Sequence, residues 1–339
     1  MKILDSQFEF RLGKKREIPL IMKFIKNYWK KKHILGLDKK FFEYEFVFKN
    51  RVNFMLGLNK KNKELVSIQG FIPYSISKKY LHICGSITLT KPDIKIPFLG
   101  IETMKRMLKF TKPFSYCGIG IDPVTMKPLV EKFFNRYTGT MSHFYYLNPN
   151  IKKFKIAKIE KKFRTSLSRE NIFYEEISDF NYLKKKIKFN KKLKNLPMKS
   201  GKYIEKRYFK HPKYNYKFFV IENENVLIAR EVYLKKYKRK ILSLVDYIGN
   251  VNKLGKINNL LNSLISKQDY EYIDLLCTNN ISKILIKSGF KLKSLKDKNI
   301  IPVYFSPFVK KNVNIYYETS DKKMLFFKAD ADQDRPNKK

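Results

Sequence analysis

The chain has 339 residues, 43% of them hydrophobic and 15% aromatic, and a net charge of +43 from 73 basic and 30 acidic side chains. That apolar content supports cores for two domains of ordinary size and excludes wholesale disorder. The charge is spread over every segment and only 11 of the basic residues are Arg. It therefore reads as a solvated lysine surface that attracts small anions, and it argues against sequence-specific nucleic-acid readout.

From the N-terminus, residues 16–32 place Ile18, Ile21, Met22, Ile25 and Trp29 at helical spacing and predict an amphipathic helix. Residues 41–48 are an aromatic-rich helix or strand. The runs 53–59, 65–75 and 80–89 read as strands, the first two joined by a turn at Lys60–Lys63. Residues 141–148 form an aromatic strand stopped by Pro149, and the alternation of apolar and Lys residues over 152–162 predicts a strand that opens a second domain. A helix within 178–210 and strands at 216–222, 226–234, 301–308 and 314–320 follow. The divisions expected are 1–150, 151–310 and a C-terminal strand with an acidic tail over 311–339. In that tail Asp330, Asp332 and Asp334 alternate without the Gly or the downstream Glu of a calcium loop. They read as a solvated tail, or as carboxylates that fold back onto a cationic amine or a basic rim.

One pattern occurs twice. In the first half it is the strand 83–89, the loop 90–100, the helix 101–110, the strand 115–122 and the helix 124–134. In the second half it is the strand 241–249, the loop 250–255, the helix 256–266, the strand 270–278 and the helix 280–290. A strand that opens onto a helix N-terminus presents unpaired backbone N–H groups, a ready site for phosphate.

This doubled pattern resembles the GNAT superfamily of acyl-CoA-dependent N-acyltransferases, over most of residues 1–310. The residues that carry the resemblance are Leu99-Gly100 before the first helix, the block from Gly118 to Phe134, and Lys-Ser-Gly-Phe at 287–290. The resemblance implies an α/β (α+β) fold of two tandem GNAT-like domains, each a mixed, mostly antiparallel sheet flanked by helices. It implies acetyl-CoA or another acyl-CoA as co-substrate. Leu99 and Gly100 would face its pyrophosphate, and the strand from Gly85 to Leu89, or Leu244 to Tyr247 in the second copy, would offer an N–H to the thioester carbonyl.

Two residues are candidates for catalysis. His143 sits among aromatics in a strand, as a base with a pKa near neutrality or as a packing residue. Asp246 is a lone carboxylate in an apolar strand, which must be paired or functional. The resemblance implies an N-acyltransferase that acylates an amine on a small acceptor, with a nucleotide-linked amino sugar of surface-polysaccharide synthesis, by analogy, as the first candidate. The alternatives are an aminoacyl-tRNA-dependent aminoacyltransferase and a non-catalytic nucleic-acid-binding protein. No apolar run approaches the roughly 18–20 residues of a membrane span, and the N-terminus has no signal-like core. Cys84, Cys117 and Cys277 fall inside predicted strands without metal-ligand spacing. The expectation is a cytoplasmic protein with reduced cysteines, no metal and no specific nucleic-acid partner.

Overall fold

The computed structural model describes residues 2–48, 50–75, 79–163 and 171–338. The chain divides into two units. The first comprises residues 1–137, 318–321 and 335–339, and the second 138–317 and 322–334. Each is built around one mostly antiparallel sheet flanked by helices.

In the first unit β1 (Phe8–Lys14) leads into α1 (Ile18–Tyr28) and α2 (Lys39–Phe46). Ile18, Ile21, Phe24 and Ile25 place one face of α1 in the core. Asp38 caps α2 by accepting from the Phe41 amide. These helices cover one face of β2 (Arg51–Asn59), β3 (Leu65–Pro73) and β4 (His82–Thr90). A crossover helix, α3 (Leu99–Thr111), then returns the chain to β5 (Ser115–Ile119), parallel to β4, and α4 (Met126–Phe134) follows. Met104 and Met107 of α3 pack on the opposite face, with Phe71, Ile83 and Tyr116. The sheet order is β1-β2-β3-β4-β5, continued by the short strands Tyr316–Thr319 and Tyr137–Thr140.

The second unit repeats the arrangement. Its sheet takes β6 (Ser142–Leu147), β7 (Tyr174–Ile177), β8 (Tyr216–Ile221), β9 (Asn225–Leu234), β10 (Arg239–Ile248), β11 (Tyr270–Cys277) and β12 (Lys291–Leu292), in the order β12-β6-β11-β10-β9-β8-β7. The helix α5 (Phe180–Lys186) follows β7, and α6 (Asn258–Gln268) crosses from β10 to the parallel β11. Leu260, Leu261, Leu264 and Ile265 of α6 join the core of the sheet.

Several sequence expectations change. The helix expected over 280–290 is an α-helix only over Ser282–Leu285, and the strand expected over 301–308 is reduced to the short pair Tyr304–Phe305 and Phe308–Val309. The strand at 141–148, expected to close the first domain near residue 150, is β6 and pairs with β11 and β12 of the second sheet. The segment 152–162 forms a single bridge, Lys158 with Ile300, in place of a strand. Its amides have another partner: the Glu271 carboxylate accepts from Lys155, Ile156 and Ala157. The C-terminal tail is not solvated, since Asp330 and Asp334 are each 1% exposed.

Both parallel pairs open partway along, beside a bulge. Between Gln69 and Phe71 of β3 lies one residue, Gly70, whereas between their partners Thr88 and Gly85 on β4 lie two, Ile87 and Ser86. Between Ile228 and Ala229 of β9, β10 carries the extra residue Val245. The extra residue bends its strand and frees it from the ladder. Gly85 lies at the first opening: a Cβ there would sit 1.9 Å from Tyr116 Oη. A glycine is therefore required for the buried Tyr116 ring to lie against β4. Gly85→Ala is expected to destabilise by about 1–3 kcal/mol through overpacking, measured by urea denaturation with tyrosine fluorescence as a second probe.

Candidate functional site

In the first unit β4 and β5 pair only through His82↔Ser115, Ile83↔Tyr116 and Cys84↔Cys117. Beyond Cys84 no strand or bridge among the described residues enters between them. Ser86, Thr88, Leu89 and Thr90 are accordingly half-buried, although they belong to a central strand. The first turn of α3 lies against the same strand end, where a Cβ on Gly100 would meet the Thr90 methyl at 3.3 Å. Leu99 is 2% exposed and packs its side chain with Phe8 and Val66, so only its backbone could face a ligand.

Charged groups surround this opening. Arg335 donates to Ser86 Oγ at 3.0 Å and pairs with Glu45 of α2 at 2.6 Å. Its guanidinium also lies over the Phe46 ring. Below Gly85, the Tyr116 ring is covered by the Arg136 guanidinium. Glu318 is 1% exposed and 4.0 Å from Arg136. Burial pushes its carboxyl up to about 7, against the opposing pull of Arg136 and a hydrogen bond from Tyr116. Sequence reasoning missed Arg335, Glu45, Tyr116 and Glu318, because nothing local distinguishes them from strand, helix and tail residues.

In the second unit the corresponding opening is occupied. β10 and β11 pair from Lys240↔Tyr270 to Leu244↔Leu275. The segment from Met324 then runs beside β11: the Thr278 amide donates to Phe326 O at 2.9 Å, and Phe327 bridges Cys277. Phe327 packs with Leu244, Tyr247 and Leu275, and Ala329 packs with Val245 and Ile248. Every residue from Ile241 to Ile248 is buried as a result.

Asp246 points into this filled region. It accepts from Tyr208 Oη and from Lys199 Nζ, each at 2.5 Å, and Lys199 also pairs with Asp330 at 2.5 Å. Burial works against the charge on Lys199, but the two carboxylates outweigh it and raise its pKa. Burial pushes the Asp330 carboxyl up to about 7, opposed by Lys199 and reinforced by Asp246. Asp334 pairs with Arg230 at 2.7 Å. Asp330 and Asp334 thus fold back onto basic side chains, the second of the two readings the sequence left open.

His143 is 3% exposed on β6 and bonds Asp274 through Nε2 at 3.1 Å. Burial pushes its pKa down to about 4, against the pull of Asp274, so the ring is neutral at pH 7. The structure places His143 and Asp246 on separate hydrogen-bond networks of the second unit. Gly85, Leu89, Leu99 and Gly100 belong to the first. Among the described residues no group of three His, Cys, Asp or Glu side chains could hold a metal, and no helix is long and apolar enough to cross a membrane.

No protein-family model matches the chain, and no curated protein matches its sequence. Solved structures do match. A GCN5-related N-acetyltransferase from Anabaena variabilis aligns with a TM-score of 0.55 at 7% identity, over 92% of this chain and 72% of that one. A conserved protein from Enterococcus faecalis, described as a probable N-acyltransferase, aligns at 0.56 and 9% over 92% and 71%. Eis1 from Mycobacterium abscessus aligns at 0.50 and 9% over 91% and 72%. The fold is that of the GNAT acetyltransferases. At these identities the likeness is one of architecture, and it covers both units.

Glu318 generates a pH prediction. Its folded pKa of about 7 lies above the ordinary 4.5. Stability from this group is fully present below pH 4.5 and is lost as pH rises through 7. Glu318→Gln should remove that decline, so the variant gains on the parent between pH 5 and 8 by on the order of a few kcal/mol. Urea unfolding at the two pH values measures it, and an unchanged difference would show the carboxyl to be ordinary.

Proposed function

We propose that the chain is an acyl-CoA-dependent N-acyltransferase and that its first unit binds the donor. The observation that carries this reading is the contrast between the two openings. On the β4 edge Ser86, Thr88, Leu89 and Thr90 are half-buried, whereas the β10 edge from Leu244 to Ile248 is fully buried under the chain's own C-terminal segment. Likeness in fold to N-acetyltransferases of known structure supports the reaction class.

In this reading the donor's arm lies along the free edge of β4. An amide of the bulged stretch Gly85–Leu89 polarises the thioester carbonyl, and the backbone at Leu99-Gly100, opening the 13-residue α3, meets the pyrophosphate. The acceptor amine attacks the carbonyl. A C–N bond forms, the C–S bond breaks, and the proton lost by the ammonium ends on the coenzyme A thiol. The Arg335–Glu45 pair holds Ser86 of the bulge in position. His143 and Asp246 serve the packing of the second unit and move no proton. The acceptor is an amine on a small anionic molecule, drawn in by the net charge of +43. A nucleotide-linked amino sugar is the first to assay, with acetyl-CoA as the donor.

Calorimetry tests the donor site. Acetyl-CoA should bind at a site that Gly100→Glu abolishes by placing bulk and negative charge where the pyrophosphate sits, and Lys235→Glu, on an exposed turn of the second unit, should leave that binding intact. Acetyl-CoA affinity unchanged by Gly100→Glu would move the donor away from the first unit.

A further inference from the structure

The second unit contains a cavity of about 910 Å³ that acyl transfer leaves unused. Its walls are the segment 186–195, the turn 223–225, the loop 248–252 after β10, and Lys323 with Leu325. Seven lysines and seven asparagines line it, against one carboxylate, Glu224. The bias comes from the sequence: seven of the eleven residues 184–194 are Lys, and no carboxylate lies between Asp179 and Glu205.

This lysine run is ordered. Asn190 and Asn195 adopt left-handed backbone conformations, Leu193 bridges Leu196, the Asn190 amide donates to Lys199 O, and the Leu325 amide donates to Asn195 O. Two of the lysines are neutralised internally, Lys186 by Glu175 and Lys199 by Asp246 and Asp330. Lys188, Lys191 and Lys194 have no carboxylate partner among the described residues. The fold therefore holds like charges together around a concave, amide-rich wall, an arrangement that an anion relieves. Ammonium groups serve phosphate as point charges, and the Asn amides can donate to phosphate or sugar oxygens.

We propose that this cavity binds a diphosphate-bearing ligand of nucleoside-diphosphate size. The volume lies in the range of small-ligand sites. The ligand is not the acyl donor, because Met324–Asp330 fills the adjoining opening where an acyl arm would have to lie. The proposal rests on the cavity and stands whether or not the chain transfers acyl groups.

The test is calorimetry with inorganic pyrophosphate and with UDP at 0.15 M salt. Each should bind once per chain. Lys191→Glu/Lys194→Glu should weaken both at least tenfold. Lys235→Glu/Lys236→Glu, the same charge change on exposed residues at the other end of β9 and β10, should change affinity less than twofold. Circular dichroism confirms that both variants are folded. Equal weakening by the two variants would show a diffuse field in place of a site, and no binding at millimolar ligand would remove the site. A short oligonucleotide that displaces UDP, with affinity falling steeply in salt, would assign the surface to nucleic acid and overturn the proposal.

Discussion

The second unit depends on one buried ion cluster: the Lys199 ammonium held between Asp246 on β10 and Asp330 in the C-terminal segment. None of the three charges could be buried alone. Removing one partner from such a set strands the others at a cost of about 3–5 kcal/mol. The cluster ties residue 330 to a strand laid down more than eighty residues earlier, and it fixes the register in which Phe326 and Phe327 enter the opening beside β11. Arg230 with Asp334 repeats the device a few residues on. The opening between β10 and β11 is thereby filled with hydrophobic core.

The same local geometry has two outcomes. Both units have a parallel strand pair that separates at a bulge, and both send a crossover helix from the bulged strand. In the first unit the opening is propped by Tyr116 against Gly85 and edged by half-buried Ser86, Thr88 and Leu89. In the second it is closed by the chain itself, and what remains is a lysine-lined cavity at the loop after β10. Under the two proposals above, donor chemistry belongs to one unit and anion binding to the other.

Much of this was legible in the sequence. The duplicated strand–loop–helix–strand pattern marked β4, α3 and β5 and then β10, α6 and β11, because hydrophobic periodicity is a local signal. The lone Asp246 announced a buried partner, though not which one. Three features were hidden. The strand at 142–147 reads the same whichever sheet it joins, so nothing in MSHFYYLN revealed its pairing with β11. The segment 152–162 has strand-like alternation, yet the distant Glu271 claims its amides. The tail KADADQD looks solvated by composition, and only the placement of Lys199 and Arg230 makes its burial affordable. In each case the deciding partner lies far away in sequence.

Hydrogen–deuterium exchange with and without acetyl-CoA is the most direct measurement of the central claim. The account predicts that the donor slows exchange in peptides covering Gly85–Gly100, while residues 244–256 and 324–330 exchange at unchanged rates. Protection over 244–256, with faster exchange at 324–330 as the C-terminal segment leaves its opening, would contradict it.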